Sequence, residues 1–207
     1  MFIEIPASKV SLTARKLLFG VGINDACYMV YFTNKHDKKL RCPYYVAWAS
    51  MLKRCYSVSF LKNNPTYIGC STTASWLTFS NFRLWMEKQN WKGKQLDKDI
   101  LINGNKIYSP SACLFVEQSI NNLLCDRARA RGIYPQGVSL CKKSNLILSG
   151  CSVNGKRKYL GCFNTPEEAH EVYKQFKSKH ILEVAEQYKS EPRLYEALKN
   201  HARLMLL

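Results

Sequence analysis

The sequence predicts an α+β chain, and three observations carry that prediction. Aromatic and β-branched clusters, such as residues 27–32 (CYMVYF), alternate with segments whose apolar residues recur at helical spacing. Residues 95–131 run in the order strand, loop, strand, helix. A β-rich stretch over residues 138–163 then contains Asn154-Gly155, a strong hairpin signal, and leads into a helix start at Thr165-Pro166.

Taken along the chain, residues 27–32 read as a strand. Pro43 opens a helix, with Trp48, Met51, Leu52 and Cys55 on one face and Lys53-Arg54 on the other. Residues 61–67 (LKNNPTY) form a turn-rich loop. A second helix, capped by Ser71, Thr72 or Thr73, places Trp76, Phe79, Phe82 and Trp85 in a stripe that reads as core. Residues 95–102 (QLDKDILI) read as a polar strand, 103–105 as a turn, and 113–116 (CLFV) as a short apolar strand. Residues 118–131 read as a helix, with Arg127, Arg129 and Arg131 favourably placed against its dipole. Residues 132–137 (GIYPQG) are the clearest linker. Three strands come next, at 138–141, 146–153 and 158–163. Thr165, Pro166 and Glu168 make a capping-box start for a helix whose apolar face holds Ala169, Val172, Tyr173 and Phe176. A last helix starts near Pro192.

Charge narrows the function classes. The chain has 207 residues, with 31 Lys plus Arg against 15 Asp plus Glu, a formal net charge of +16. The excess is spread over both halves, which excludes a basic tail on a neutral body and points to a polyanionic partner. Between Arg127 and Leu160 stand Arg127, Arg129, Arg131, Lys142, Lys143, Lys156, Arg157 and Lys158, with no acidic residue among them. A β-ribbon so charged suits a DNA groove. No apolar stretch approaches the ~20 residues a membrane span needs. The N-terminal residues do not read as a signal peptide, so a cytoplasmic location is expected. Nine cysteines, odd in number and irregularly spaced, argue against a disulfide framework.

The most polar strand carries Asp97-Lys98-Asp99, and Asn121-Asn122 stand further on, on a helix. A carboxylate and an amide oxygen together suit a hard divalent cation, which stabilises a scissile phosphate. An edge strand with solvated charges is the alternative.

Residues 96–100 (LDKDI), Asn105, Tyr108-Ser109-Pro110, residues 113–116 and residues 120–123 (INNL) resemble the ββα-metal motif of HNH endonucleases, in a divergent homing-type branch encoded by phages and mobile elements. The resemblance implies a Mg²⁺-like ion held by Asp97 and Asn121, a loop fixed by Asn105, and Lys98 standing where the family has its general-base His. A charged lysine does not take a proton from water, so Asp99 is the other group that would activate it, or Lys98 stabilises phosphate charge. Residues 137–139, 151–163 and 165–173, with Tyr159-Leu160-Gly161-Cys162-Phe163 and Thr165-Pro166-Glu167-Glu168-Ala169, resemble an Apetala-type DNA-binding domain. That family packs a three-stranded antiparallel sheet on one helix. Together the resemblances imply an HNH-like nuclease domain over 1–131, an Apetala-type domain over 132–182 and a C-terminal helical extension over 183–207. The expected function is divalent-metal-dependent hydrolysis of double-stranded DNA. The alternative is an inactive relative that binds DNA as a regulator or competitor. Cys42, Cys55, Cys70 and Cys113 are further candidates for a structural Zn²⁺, weighed equally with buried thiols.

Overall fold

The computed structural model describes residues 2–33, 39–126, 132–142 and 144–207. Helices and sheets are mixed through the chain, as the α+β reading expects. The chain divides into two compact units, Met1–Val116 and Glu117–Leu207. Among the described residues, no helix is long and apolar enough to cross a membrane.

The first unit is built around helix α2, Pro43–Tyr56. Proline occupies its first turn, and Trp48, Met51, Leu52 and Cys55 are buried at the expected spacing. Ahead of it lie a short helix α1 (Lys9–Thr13) and a hairpin of β1 (Tyr31–Thr33) with β2 (Lys39–Arg41). The strand expected at 27–32 is therefore displaced: Tyr28 and Val30 are buried in the core, and ahead of Tyr31 the pairing is reduced to an isolated bridge of Tyr28 with Pro6 and a bond from Cys42 N–H to the Val30 carbonyl. Helix α3 (Val58–Asn63) extends into the expected loop. The second helix starts later than expected. Ser71–Thr72 form β3, a 3-10 turn covers Ala74–Leu77, and α4 runs over Phe79–Glu87. Trp76, Phe79 and Phe82 are buried there, so the aromatic stripe is core. The Trp48 indole donates to the Trp76 carbonyl at 2.7 Å, which removes the cost of burying its N–H.

The polar strand is shorter than its sequence suggests. β4 covers Gln95–Asp97 and pairs antiparallel with β6 (Leu114–Val116), Leu96 opposite Phe115. It stops at Asp97 because that side chain caps a turn, accepting N–H groups from Asp99 at 2.9 Å and Ile100 at 2.8 Å. β5 (Ile107–Tyr108) pairs parallel with β3.

The second unit opens with α5, Gln118–Leu124. The division falls after Val116 and not at the expected 131, so α5 groups with the sheet and helices C-terminal to it. One tie is the Tyr188 hydroxyl, which donates to Glu117 at 2.9 Å. Strands β7 (Val138–Leu140), β8 (Ile147–Val153) and β9 (Lys156–Phe163) form an antiparallel sheet in that order. Asn154 and Gly155 both adopt positive φ at the β8–β9 turn, the backbone a tight hairpin requires. Helix α6, Pro166–Ala185, starts at Thr165, whose side chain accepts from Glu168 N–H. Val138, Ile147 and Phe163 pack with Ala169 between sheet and helix. α6 runs unbroken through the expected boundary at 182, and α7 (Pro192–Leu204) packs on it, Ser178 donating to the Ala202 carbonyl. Residues 183–207 belong to this unit, the apolar face of α7 being buried against α6.

Candidate functional site

In the first unit, the chemistry-bearing residues meet at a polar cavity of about 160 Å³ lined by Arg54, Asp97, Lys98, Asp99 and Tyr108 with their neighbours. Burial, and then the Asp99 carboxylate, push the Asp97 carboxyl above its usual range, although the two N–H groups it accepts act against this. Lys98 has a side chain only 8% exposed. Its ammonium donates to Asp99 at 3.0 Å and to the Asn105 carbonyl at 2.7 Å. Asn105 completes the loop: its amide donates to the Lys98 and Ile107 carbonyls at 2.6 and 2.8 Å, and its oxygen accepts from Ile107 N–H. Lys98 and Asn105 thus clamp the two ends of one loop against each other. The geometry gives Lys98 a loop-holding role.

Helical periodicity puts Arg54 beside Lys53 on the polar back of α2. The structure instead half-buries it, and it donates to the Leu96 carbonyl at 3.2 Å and the Tyr108 hydroxyl at 3.4 Å. Burial pushes the Tyr108 phenol up, with Arg54 pulling the other way. Periodicity gives no hint of a partner more than forty residues on. Asn121 lies on α5, in the second unit.

Among the described residues, the cysteines do not assemble a zinc site. Cys42, Cys55, Cys70 and Cys113 are all buried in the core of the first unit. The Cys42 thiol stands 3.6 Å from the Tyr28 hydroxyl. Burial, with Cys70 nearby, pushes the Cys55 thiol up to about 12, and burial does the same for Cys113. Among the described residues no group of three or more His, Cys, Asp or Glu side chains is arranged to hold a metal ion. These thiols fit the alternative reading, small buried hydrophobes.

In the second unit, strand alternation sorts the basic hairpin into two faces. Lys158 pairs with Cys151 on the helix side, its ammonium 4.8 Å from the Phe176 ring centroid. Arg157 pairs with Ser152 on the opposite face and reaches across Gly150 to donate to Ser139 Oγ at 3.2 Å. Tyr159, 62% exposed, shares that face. Lys142 and Lys156 are exposed. Arg127, Arg129, Arg131 and Lys143 lie outside the described residues. Lys158 is thus drawn toward α6 while Arg157 lies on the opposite face.

Comparison with known protein families, with curated proteins and with solved structures finds no match.

Proposed function

We propose that the chain binds double-stranded DNA through the β7–β8–β9 sheet of its second unit. One observation carries this reading: Arg157 lies across the sheet face turned away from α6, beside exposed Tyr159, in a chain of net charge +16. A guanidinium held in place by Ser139 loses less freedom on meeting a phosphate or a guanine edge than a solvated one does. The sheet-on-helix order and the hairpin residues that resemble an Apetala-type domain support the same reading. Titration of labelled duplex DNA over a salt series tests it. Binding is expected to weaken steeply with salt, and Arg157→Ala to weaken it about tenfold. Salt-insensitive binding, or an Arg157→Ala variant equal to the parent, overturns it.

The second reading is the divalent-metal-dependent endonuclease. Its support is the paired carboxylates Asp97 and Asp99, which share the polar cavity on a loop pinned by Asn105. A hard cation such as Mg²⁺ would bind these carboxylates and supply Lewis-acid stabilisation of a phosphate oxygen. Lys98, held by two hydrogen bonds, is not the base on this reading. A nicking assay on supercoiled DNA with Mg²⁺ or Mn²⁺ separates the two. Cleavage abolished by Asp97→Ala supports the nuclease, and no cleavage leaves DNA binding as the function.

A further inference from the structure

Another cavity of the first unit, about 610 Å³, shares no lining residue with the polar one at Asp97. Its volume lies in the range of small-molecule sites. One wall is a second apolar face of helix α2. Trp48, Met51, Leu52 and Cys55 fill the core, while Tyr45, Val46 and Ala49 recur at helical spacing elsewhere on the helix and line the cavity. Val46 is 42% exposed there. The facing wall is the β1–β2 hairpin. Tyr31 pairs with Arg41 and Thr33 with Lys39, so strand alternation brings these four side chains to one face of the ribbon, and all four line the cavity. Phe19 lines it as well, in the turn bridged by Leu18 and Gly22, at a φ of +52° that few non-glycine residues adopt.

Charge selects what this space suits. Three cations line it, Lys39, Arg41 and Lys53, and no acidic residue does among the described ones. Lys53 holds its ammonium 5.5 Å from the Phe60 ring centroid, outside the cavity lining, which leaves its aliphatic stem beside the space. Lys39 and Arg41 are both exposed and stand two residues apart on β2. The cavity therefore sets an apolar wall on α2 against two cations on the hairpin. A nucleic-acid strand carries a charge on every nucleotide and would press several of them against apolar groups. A ligand with one acidic head on an apolar body leaves no charge so placed.

We propose that this cavity binds a small amphipathic carboxylate, its head held by Arg41 with Lys39 beside it and its apolar body against Tyr45, Val46, Ala49 and Phe19. The planar guanidinium of Arg41 matches a carboxylate through two parallel hydrogen bonds. The same chemistry occurs in a flexible alkanoate and in a flat aromatic acid. The site lies within the first unit and does not depend on the duplex-binding reading.

Calorimetric titration of the full chain with octanoate, 2-naphthoate and the uncharged 1-octanol tests this. At least one acid is expected to bind below about 1 mM. Tighter binding of octanoate identifies a flexible chain as the body of the ligand, and tighter binding of 2-naphthoate identifies a flat ring. Binding of 1-octanol should be at least about tenfold weaker, since it brings no charge to Arg41. Arg41→Gln is expected to weaken the acid roughly five- to tenfold and to leave 1-octanol unchanged. Val46→Glu, at an exposed helix position, should melt close to the parent and lose the acid by at least about tenfold, because it sets a carboxylate in the apolar wall. The proposal is overturned if neither acid binds below about 1 mM, if 1-octanol binds as tightly as the acids, or if Arg41→Gln binds the acid as the parent does. A parent chain that sediments as a dimer, with Val46→Glu a monomer, makes a second copy of the chain the occupant of this face and overturns it too.

Discussion

Asp97 and Asn105 are the residues on which the polar loop depends, and they predict opposite outcomes. The folded pKa of Asp97 is raised by burial and by Asp99. Its carboxyl therefore contributes fully below its unfolded pKa, near 4, and that contribution is lost as pH rises through the higher folded value. Asp97→Asn keeps an oxygen for the two N–H groups and removes the charge. It is expected to be more stable than the parent at pH 7, with the difference closing as pH falls below about 4 in thermal melts. Asn105→Ala removes three hydrogen bonds that hold the loop, and an expected loss of about 2–3 kcal/mol is checked by urea denaturation. Asp97 and Asn105 are legible in the sequence as residues of interest. The role of Lys98 is not, since residue type says nothing about whether an ammonium is solvated or clamped between Asp99 and Asn105.

At the scale of elements, the hairpin and its helix make two further predictions. Gly137 has φ +83°, and a Cβ there would stand 2.1 Å from the Tyr173 ring. Gly137→Ala should destabilise the second unit by at least about 2 kcal/mol in the same denaturation assay, from backbone strain and overpacking together. Arg157 and Lys158 are neighbours in sequence but lie on opposite faces of β9. Lys158→Ala is expected to cost roughly 0.5–1 kcal/mol of stability through its lost contact with Phe176. It should cost less duplex affinity than Arg157→Ala. The β8–β9 turn and the α6 start are readable because Asn-Gly and Thr-Pro-x-Glu encode backbone conformation locally. The end of β4 is not, because the break after Asp97 is made by a side-chain cap in what reads as an unbroken strand pattern.

For the whole molecule, the charge excess makes the prediction. If Lys142 and Arg157 each neutralise one phosphate, replacing both with Ala should lower the slope of log K against log salt by roughly 1 to 2 units. An unchanged slope in fluorescence anisotropy titrations would exclude them from the interface. The chain's α+β character, the aromatic core of the first unit, the order of three strands and then a helix in the second and the charge excess all come from periodicity, turn chemistry and composition, which act over a few residues or over the whole chain. Which cations are held and which face solvent was decided only by the tertiary structure. Arg54 meets Leu96 and Tyr108, and Lys158 lies over Phe176, each through contacts between segments distant in sequence. The boundary after Val116 was decided the same way. It groups residues 117–131 with the sheet and helices that follow, whereas the Gly- and Pro-rich linker at 132–137 marks only where the backbone turns easily.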